Sequence, residues 1–455
     1  MTTTQFSGTS PRIQGREDLL ASFRAGEKPR ARWMVGIEHE KLGFLRDTRR
    51  PIPYAGPRGI RALLEGFVSR FGWQPVREGE NIIALTRDQA GITLEPGGQL
   101  ELSGAPLRTA HDALQELDVH MAELNALSRE LGLVWLFLGR NPVIASADMP
   151  WIPKERYAIM RGYLPTRGAL ALDMMLGTGT VQSNFDYASE ADMARKMRVA
   201  MAAAPLLAAL FANSPFAEGR ATGDQSTRCR VWTQTDPSRC GILPAVFAED
   251  FGYEDYVEYA LDVPMFFIHR HGHYQNRAGA SFRKFMTEGL EGEFPTQEDW
   301  TLHLTTLFPE VRLKSYIELR MADVGPPEMI VALAALTRGL FYDDTALKEA
   351  RLLLGGFRAE QVEALNRAAM RDGLRAEAMG RPVGSWLADL LPMVEAGLAR
   401  LGARNAAGQD ETGYLAPLQE IVASGRSQAD RLLESWRGAW GGKFEPLFET
   451  LGLPR

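Results

Sequence analysis

Four segments of the chain carry carboxylate, amide or guanidinium side chains at every second position, a spacing that could assemble one charged site. In a β-strand, residues two apart point to the same face of the sheet. If the four segments share a sheet, that face is lined by charged and amide groups. The segments are 36–40 with Glu38 and Glu40, 98–103 with Gln99 and Glu101, 180–186 with Gln182, Asn184 and Asp186, and 316–320 with Glu318 and Arg320.

Carboxylates crowded on one buried face repel one another unless cations lie between them. Oxygen ligands favour hard divalent ions, so Mg²⁺ or Mn²⁺ is the expected cofactor. Glu38, Glu40, Glu101 and Glu318 are the predicted metal ligands. Arg320 is the predicted catalytic residue, because a planar guanidinium forks onto phosphoryl oxygens. We therefore expect a metal and phosphate site on this face.

Each of these segments also has an ordinary structural explanation. Glu38 and Glu40 could lie on the solvated face of a strand, but their neighbours on both sides are apolar. A buried carboxylate pair needs a counter-ion, which favours metal binding. Glu318 and Arg320 could instead form a structural salt bridge. Glu95, before the turn at 96–98, could be either a ligand or a surface residue.

A second group of residues is predicted to bind the substrates. Arg228 and Trp232 lie four residues apart in a segment, 228–236, that resembles a strand. An arginine beside an aromatic ring suits the carboxylate of an amino acid, but it is also a common cation–π pair at protein surfaces. The remaining assignments are Gln182 and Asn184 to substrate binding, and Gln99 and Arg320 to the nucleotide.

The histidines and cysteines give weaker signals. His269, His271 and His273 alternate along the chain and could supply zinc ligands, but no matching fourth ligand is near them in the sequence. A strand end or hairpin tip in contact with solvent is the favoured interpretation. Cys229 and Cys240 could bridge a hairpin, although free thiols are expected in a reducing compartment.

Composition limits the class of protein. The chain has 455 residues, of which 45% are hydrophobic, enough to bury a large core. A net charge of −6 with scattered basic residues gives no reason to expect nucleic acid as a partner. No apolar run reaches the ~18 residues that span a bilayer, and no secretory signal is visible. We expect a cytoplasmic enzyme, a monomer or homodimer, that acts on small molecules and does not bind membranes.

Hydrophobic periodicity predicts the elements that position these residues. The fold class is α+β with a largely antiparallel sheet. We expect a flexible tail over 1–15 and a single catalytic domain over 16–455, with a sheet-bearing part at 16–327 and a helical region at 328–455. The pattern predicts helices over 58–71, 109–131 and 189–211, a hairpin from 82–86 and 91–95, and strands over 133–138, 228–236 and 263–268.

Several long motifs resemble those of glutamate–cysteine ligases of the plant and proteobacterial type. They are VGIEHEKLGF at 35–44, LEPGGQLELSGAP at 94–106, FANSPF at 211–216, YALDVPM at 259–265 and HLTTLFPEVRLK at 303–314. The resemblance implies a fold like that of glutamine synthetase and guanidino kinases, in which an antiparallel sheet forms a half-barrel over the active site and helices wrap it. It also implies that the family's metal ligands, phosphate-contacting arginine and amino-acid site correspond to the residues assigned above.

The resemblance further implies the reaction. ATP would drive ligation of L-glutamate, through its γ-carboxylate, to L-cysteine by way of γ-glutamyl phosphate, the first step of glutathione biosynthesis. The chain has no P-loop and no nucleophile motif, which suits phosphoryl transfer between bound substrates. No cysteine follows Cys240, so the thiol switch expected of plant members near 281–285 is predicted to be absent.

Three alternatives stay open at this point. The same fold could use a different amine acceptor or serve another thiol pathway. A guanidino kinase-like phosphotransferase would make no amide bond. A non-catalytic binding protein is the third possibility, but the four acidic positions together with Arg320 count against it.

Overall fold

The computed structural model describes residues 10–454, and seventeen strands lie within them. Nine of these strands form one large sheet, and the other eight form four short two-stranded ribbons. The strands are β1 Val35–Leu45, β2 Gln74–Glu78, β3 Asn81–Arg87, β4 Ala90–Leu94, β5 Leu100–Ser103, β6 Leu133–Leu136, β7 Thr180–Phe185, β8 Phe216–Ala217, β9 Arg220–Ala221, β10 Cys240–Gly241, β11 Phe267–Arg270, β12 His273–Asn276, β13 Phe308–Pro309, β14 Val311–Leu313, β15 Ile317–Asp323, β16 Glu377–Ala378 and β17 Arg381–Pro382.

Seventeen α-helices lie within the same described part of the chain. None of them is long and apolar enough to cross a membrane. The helices are α1 Arg16–Arg24, α2 Ile60–Phe71, α3 Ala110–Leu131, α4 Glu155–Tyr163, α5 Ala171–Gly177, α6 Glu190–Leu210, α7 Thr227–Thr233, α8 Tyr253–Asp262, α9 Phe282–Glu288, α10 Gln297–Leu304, α11 Pro327–Phe341, α12 Asp344–Leu354, α13 Ala359–Asp372, α14 Val383–Leu401, α15 Ala416–Ser424, α16 Gln428–Arg437 and α17 Glu445–Leu451.

The large sheet brings the four polar segments together as neighbours. Its strand order is β14-β15-β7-β1-β5-β4-β3-β2, and β6 pairs with the last residues of β1. Every pairing in it is antiparallel. The prediction of an α+β fold with a largely antiparallel sheet is therefore confirmed, while the half-barrel curvature stays a prediction.

Helices cover one face of the sheet and leave the polar face open to cavities. Ile37, Leu102, Val181 and Leu319 occupy the positions that alternate with polar residues, and all four are buried. Helices α3, α6 and α11 pack against these strands. Because the apolar face is covered in this way, the alternate side chains are held on the opposite face, where the predicted chemistry lies.

Local sequence signals place the longer helices. Thr109 and Asp112 form a capping box at the start of α3, and Gly132 ends that helix in the left-handed conformation with φ of 64°. Ser189 caps α6, as its type and position predict, by accepting a hydrogen bond from the Asp192 N–H. Helix α11, in the helical C-terminal part, is almost entirely buried against the sheet.

Two predicted strands differ from the observed elements. The prediction of a strand over 228–236 is wrong, because the first part of this segment belongs to helix α7. Ser226 caps that helix by accepting a hydrogen bond from the Cys229 N–H. The strand predicted over 263–268 begins only at Phe267, after a loop that contains Pro264. Proline has no N–H to donate to a sheet, so the ladder starts beyond it.

The predicted tail over 1–15 lies partly outside the described residues. Its described part, 10–15, is packed rather than frayed: the Ile13 N–H donates to the Pro295 oxygen, and Ile13 is only 4% exposed. Arg12 forms a bridge with Thr296. The docked segment thus joins the core at its edge, because burying Ile13 and pairing backbone groups of Pro11 and Ile13 offset the entropy lost on ordering.

Candidate functional site

The register of the sheet sets the spacing of the polar side chains. Glu40 lies directly opposite Glu101, and Glu38 lies opposite Ser103 on one side. On its other side Glu38 lies opposite Gln182. Side chains directly opposite one another in an antiparallel pair are about 4.5–5.5 Å apart at Cβ. The carboxylates of β1 and β5 are therefore immediate neighbours.

We define the acidic half of the polar face as Glu38, Glu40 and Glu101. The Thr180 N–H donates to Glu40 Oε2 at 3.1 Å. Burial and the negative charges of Glu95 and Glu101 raise the pKa of Glu40 well above its ordinary value. A carboxylate in this position is destabilised by its neighbours, and this is the electrostatic condition that a bound cation relieves.

Neutral hydrogen-bond donors hold the other two carboxylates of the acidic half. Asn184 Nδ2 donates to Glu38 Oε1 at 2.8 Å. Glu101 accepts from Thr93 Oγ1 at 2.9 Å and from Ser103 Oγ at 2.8 Å. These donors orient the carboxylate oxygens of Glu38 and Glu101.

We define the cationic half as Glu318 and Arg320 on β15 with Arg312 and Lys314 at its edge. Arg312 donates to both oxygens of Glu318, Nε at 2.9 Å and Nη2 at 2.8 Å. Lys314 Nζ lies 3.6 Å from the same carboxylate, and Arg320 also donates to it. Burial alone would raise the pKa of Glu318, but Arg312, Lys314 and Arg320 together hold it well below its ordinary value.

Arg320 is the cation of this half that faces the cavity. Its Nη1 donates to Gln182 Oε1 as well as to Glu318. Its guanidinium carbon lies 5.7 Å from the ring centroids of both Trp232 and Phe308. The aromatic rings and the two oxygen acceptors fix the direction of the guanidinium, which leaves its remaining N–H groups available to a ligand.

Two cavities open onto the polar face. One has a volume of about 280 Å³ and the other about 40 Å³. Glu38 lines the larger cavity, whereas Glu40, Glu101 and Arg320 line the smaller one. Lys28, Met34, Asn184, Asp186 and Tyr316 are among the other residues of the larger cavity, and Glu95, Gln99, Tyr157, Gln182, Trp232 and Phe308 of the smaller.

The structure corrects the position predicted for Arg228. It lies on helix α7 rather than on a strand, and its guanidinium runs to β15, where Nη2 donates to the Arg320 oxygen and Nη1 to the Met321 oxygen. Two of its donors thus support β15, while its Nε has no hydrogen-bond partner within residues 10–454, so substrate binding by Arg228 stays a prediction. Trp232, one helical turn later, does line the smaller cavity.

Gln99 reaches the site but its amide is used within the protein. Its Oε1 accepts from the Gly97 N–H at 3.0 Å, and its Nε2 donates to the Thr178 oxygen at 2.9 Å. These bonds tie the turn before β5 to the end of α5. The residue therefore shapes the wall of the smaller cavity, next to Glu101.

Sequence reasoning missed the cations around Glu318. Arg312 lies in β14, a strand of only three residues, opposite Glu318 in the register, and Lys314 follows that strand directly. The available sequence signal for these cations was the spacing of Arg312 and Lys314, two residues apart on either side of the buried Leu313. Glu95, for which the sequence allows either a ligand or a surface residue, lines the smaller cavity.

The histidines and cysteines take no part in this face. His269 and His273 lie on the hairpin of β11 and β12, and His271 forms its turn with φ of 51°. Cys229 and Cys240 are both free thiols, and burial raises the pKa of each to about 12. Thiols with such high pKa values are poor nucleophiles at neutral pH.

Within residues 10–454, no group of three or more His, Cys, Asp or Glu side chains is arranged so that it could hold a metal ion. The acidic half still has the donor chemistry that a hard divalent ion prefers, namely carboxylate oxygens from three side chains on one face. The raised pKa of Glu40 is the observation that supports the fit. Glu318 fits less well, since both of its oxygens are bonded to Arg312.

Comparison with known proteins gives one consistent answer. Residues 34–450 match the family model described as glutamate–cysteine ligase family 2. The chain is 44% identical to a chloroplastic glutamate–cysteine ligase of Nicotiana tabacum, over 96% of this chain and 82% of the relative. A chloroplastic glutamate–cysteine ligase of Arabidopsis thaliana is equally similar, 44% identical with the same coverage.

A solved structure supports the fold. The chain resembles the glutamate–cysteine ligase of Francisella tularensis in complex with AMP, with a TM-score of 0.53 and 13% identity, over 89% of this chain and 85% of that one. At this identity the likeness concerns the fold alone. The prediction of a cytoplasmic location is wrong on the sequence comparison, because the similar ligases of tobacco, tomato and Arabidopsis are chloroplastic.

Proposed function

Because the chain belongs to glutamate–cysteine ligase family 2, we propose that it joins the γ-carboxylate of L-glutamate to the amine of L-cysteine at the expense of ATP. The product is γ-L-glutamyl-L-cysteine, the first intermediate of glutathione synthesis. The observation that carries this conclusion is the 44% identity over 96% of the chain, which spans every strand of the polar face. A guanidino kinase-like activity and a different acceptor are not favoured.

The reaction has two group-transfer steps. An oxygen of the γ-carboxylate bonds to the γ-phosphorus of ATP while the bond from that phosphorus to the β–γ bridging oxygen breaks, which gives γ-glutamyl phosphate and ADP. The cysteine nitrogen then bonds to the γ-carbonyl carbon, the bond from that carbon to the phosphate oxygen breaks, and the amine loses a proton. No protein nucleophile is required.

We assign the larger cavity to the nucleotide and the smaller one to the amino acids. The larger cavity runs from Glu38 toward Lys28 and Tyr316, at the end of the sheet face where Lys28 supplies a cation beside Asp186. The smaller cavity holds Arg320 and Trp232. Glu38 lines one cavity and Glu40 the other, and these are successive positions on one face of β1. The γ-phosphoryl group and the γ-carboxylate would therefore meet where the two cavities approach each other.

The acidic half would hold the divalent ions, with Glu38, Glu40 and Glu101 as ligands. A bound Mg²⁺ there would offset the charge of the triphosphate. Glu318 remains a proposed ligand, but it would have to share its oxygens with Arg312. The support for the metal site is the destabilised charge of Glu40, together with the oxygen-only donor set.

Arg320 would bind oxygens of the transferred phosphoryl group. Its charge and its fixed direction suit a group whose negative charge is spread over several oxygens in the transition state. Gln182 would keep the guanidinium in place, and Asn184 would orient Glu38. Within residues 10–454 the Trp232 Nε1–H has no hydrogen-bond partner, so this buried group would donate to a substrate oxygen.

The finer features of the architecture remain proposals of the same kind. The family fold supports a sheet curved into a half-barrel over the two cavities. The packing of α11 on β1 and β7 supports one catalytic domain that includes the helical region after 327. The small-molecule substrates are compatible with either a monomer or a homodimer.

The direct test measures ADP release from Mg-ATP and L-glutamate with and without L-cysteine, and the mass of the product. Cysteine-dependent ADP release with γ-glutamylcysteine formed in equal amount is the expected result. ADP release that is indifferent to cysteine, or that depends on another amine, would contradict the proposed acceptor. ADP release that requires arginine or another guanidino compound, with no amide product, would indicate a phosphotransferase instead of a ligase.

A further inference from the structure

Arg320 lies at an irregularity of its own strand. The pairing of β15 with β7 shifts register between Leu319 and Ala322, so a β-bulge contains Arg320 and Met321. A bulge redirects a side chain and leaves local backbone groups outside the regular ladder. The backbone of these two residues therefore needs other partners if the direction of the Arg320 side chain is to be constant.

Arg228 supplies the charged partners of these two carbonyl groups, whose other side-chain donors are Thr180 Oγ1 at 3.4 Å for Arg320 and Cys229 Sγ at 3.6 Å for Met321. Its Nη2 donates to the Arg320 oxygen at 2.6 Å and its Nη1 to the Met321 oxygen at 3.1 Å. Arg228 is only 2% exposed. A charged donor on a buried carbonyl forms a stronger bond than a neutral one, so the guanidinium stabilises the shape of the bulge.

Asp323 holds Arg228 in turn. Its carboxylate accepts from Ser214 Oγ at 2.6 Å, from Ser226 Oγ at 2.8 Å and from the Asn213 N–H at 2.9 Å. It lies 3.8 Å from Arg228 Nη1 and is 1% exposed. With three neutral donors and one cation, Asp323 fixes the start of α7 and the position of the guanidinium together.

We propose that Asp323 is a positioning residue for Arg320: by anchoring Arg228, it holds the bulge that aims the Arg320 guanidinium at the smaller cavity. Asp323 itself does not line either cavity of the polar face. The inference rests on the proposed function, since it concerns the arginine assigned to the transferred phosphoryl group. It adds a residue that acts through two others and never touches substrate.

The chain contains a matched control. Asp236 and Arg239 form a second fully buried pair, with Arg239 Nε bonded to Asp236 Oδ2 at 2.7 Å. Arg239 also donates to two backbone oxygens, those of Thr306 and Pro264. Neither of these oxygens belongs to a strand of the polar face, so breaking this pair disturbs the core without removing a bond to the bulge at Arg320.

The experiment is a double-mutant cycle on the full chain, with cysteine-dependent ADP release as the activity and thermal unfolding as the check on folding. Asp323→Asn is expected to lower kcat by about 10- to 100-fold with little change in the KM for ATP. In an Arg320→Lys background the same change should lower kcat by less than about twofold further, because its target is already altered. Asp236→Asn should instead lower kcat by the same factor in both backgrounds.

Two results would overturn the inference: a normal kcat for Asp323→Asn, or an equal loss for that variant with Arg320 and with Lys at position 320. If Asp323→Asn does not fold, Ser214→Ala removes one donor and keeps the carboxylate, and its loss of kcat should likewise disappear beside Arg320→Lys. An inactive wild-type chain would overturn the proposed function and this inference with it. An active wild type with equal losses in both backgrounds would overturn the inference alone.

Discussion

The two halves of the polar face carry the same residue type in opposite electrostatic states. In the acidic half, burial and neighbouring carboxylates raise the pKa of Glu40. In the cationic half, three basic side chains hold the pKa of Glu318 well below its ordinary value, although Glu318 is also buried. The two carboxylates lie on strands separated only by β7.

This contrast shows that a carboxylate's type and burial do not decide its role. Glu318 is neutralised by the protein itself, so its charge stabilises the folded chain. For Glu40, the charge of Arg228 and the Thr180 N–H do not offset burial and the neighbouring carboxylates, so its charge destabilises the folded chain until a cation arrives. The acidic half is thus prepared for an external cation, and the cationic half for the anionic phosphoryl group.

The largest effect is expected in the cationic half. Glu318→Gln would leave Arg312, Lys314 and Arg320 without their shared counter-charge and should lower the free energy of unfolding by about 3–5 kcal/mol. Because the folded-state pKa is lowered, this stabilisation is complete above the ordinary value of 4.5 and is lost as pH falls toward the folded pKa. Urea unfolding should show that the difference in free energy of unfolding between wild type and variant is smaller at acidic than at neutral pH. A difference that does not change with pH would contradict the charged state assigned to Glu318.

The next effect concerns the acidic half and appears in activity rather than stability. Glu40→Gln should lower kcat by at least about 100-fold, the loss expected when a charge-stabilising group of an active site is removed. Without metal, the thermal midpoint of the variant should equal or exceed that of wild type. The raised pKa of Glu40 means that its ionised form destabilises the folded state above pH 4.5, and glutamine removes this penalty.

Glu116→Gln is the matched control for that variant. Burial also raises the pKa of Glu116, to about 6, but it lies on α3, accepts the Ala105 N–H at 2.8 Å and lines neither cavity of the polar face. Its kcat should stay within about threefold of wild type. A Glu40→Gln enzyme with near-normal turnover would remove Glu40 from the metal site.

A smaller effect is expected when Mg²⁺ alone is added. A ligand at ten times its Kd stabilises the folded state by about 1.4 kcal/mol. Wild type should therefore gain thermal stability with Mg²⁺ in the absence of nucleotide, and Glu40→Gln should lose this gain. Differential scanning fluorimetry with Mg²⁺ and, for comparison, Na⁺ at equal ionic strength separates binding from salt screening; an equal gain in both proteins would place the ion elsewhere.

The smallest effect should distinguish the cations around Glu318. Lys314 Nζ is 3.6 Å from that carboxylate and partly exposed, so Lys314→Met should lower the free energy of unfolding by about 1 kcal/mol or less. Arg312→Met should lower it several times more, because it removes two hydrogen bonds to the buried carboxylate. Equal losses of unfolding free energy for the two variants would mean that net charge, and not hydrogen bonding, stabilises the ionised form of Glu318.

Much of the site geometry followed from alternation alone. Glu38, Glu40, Glu101, Glu318 and Arg320 were expected on one sheet face, and the structure brings their strands together as neighbours. Their roles toward metal and substrate stay predictions. The same reasoning failed at 228–236, where Ser226 and its bond to Asp323 begin a helix. That partner is almost a hundred residues away in the chain, so no local pattern could indicate it.

The sequence by itself determined the family, the α+β class and the pairs of residues that share a strand face. These follow from the chain's covalent order, because the two-residue period of a strand does not depend on what lies next to it. Only the tertiary structure decided which cations surround Glu318, which carboxylates crowd Glu40, and that Arg228 holds a bulge. Those features depend on register and burial, which join residues from distant parts of the chain and set the local dielectric that makes each charge stable or unstable.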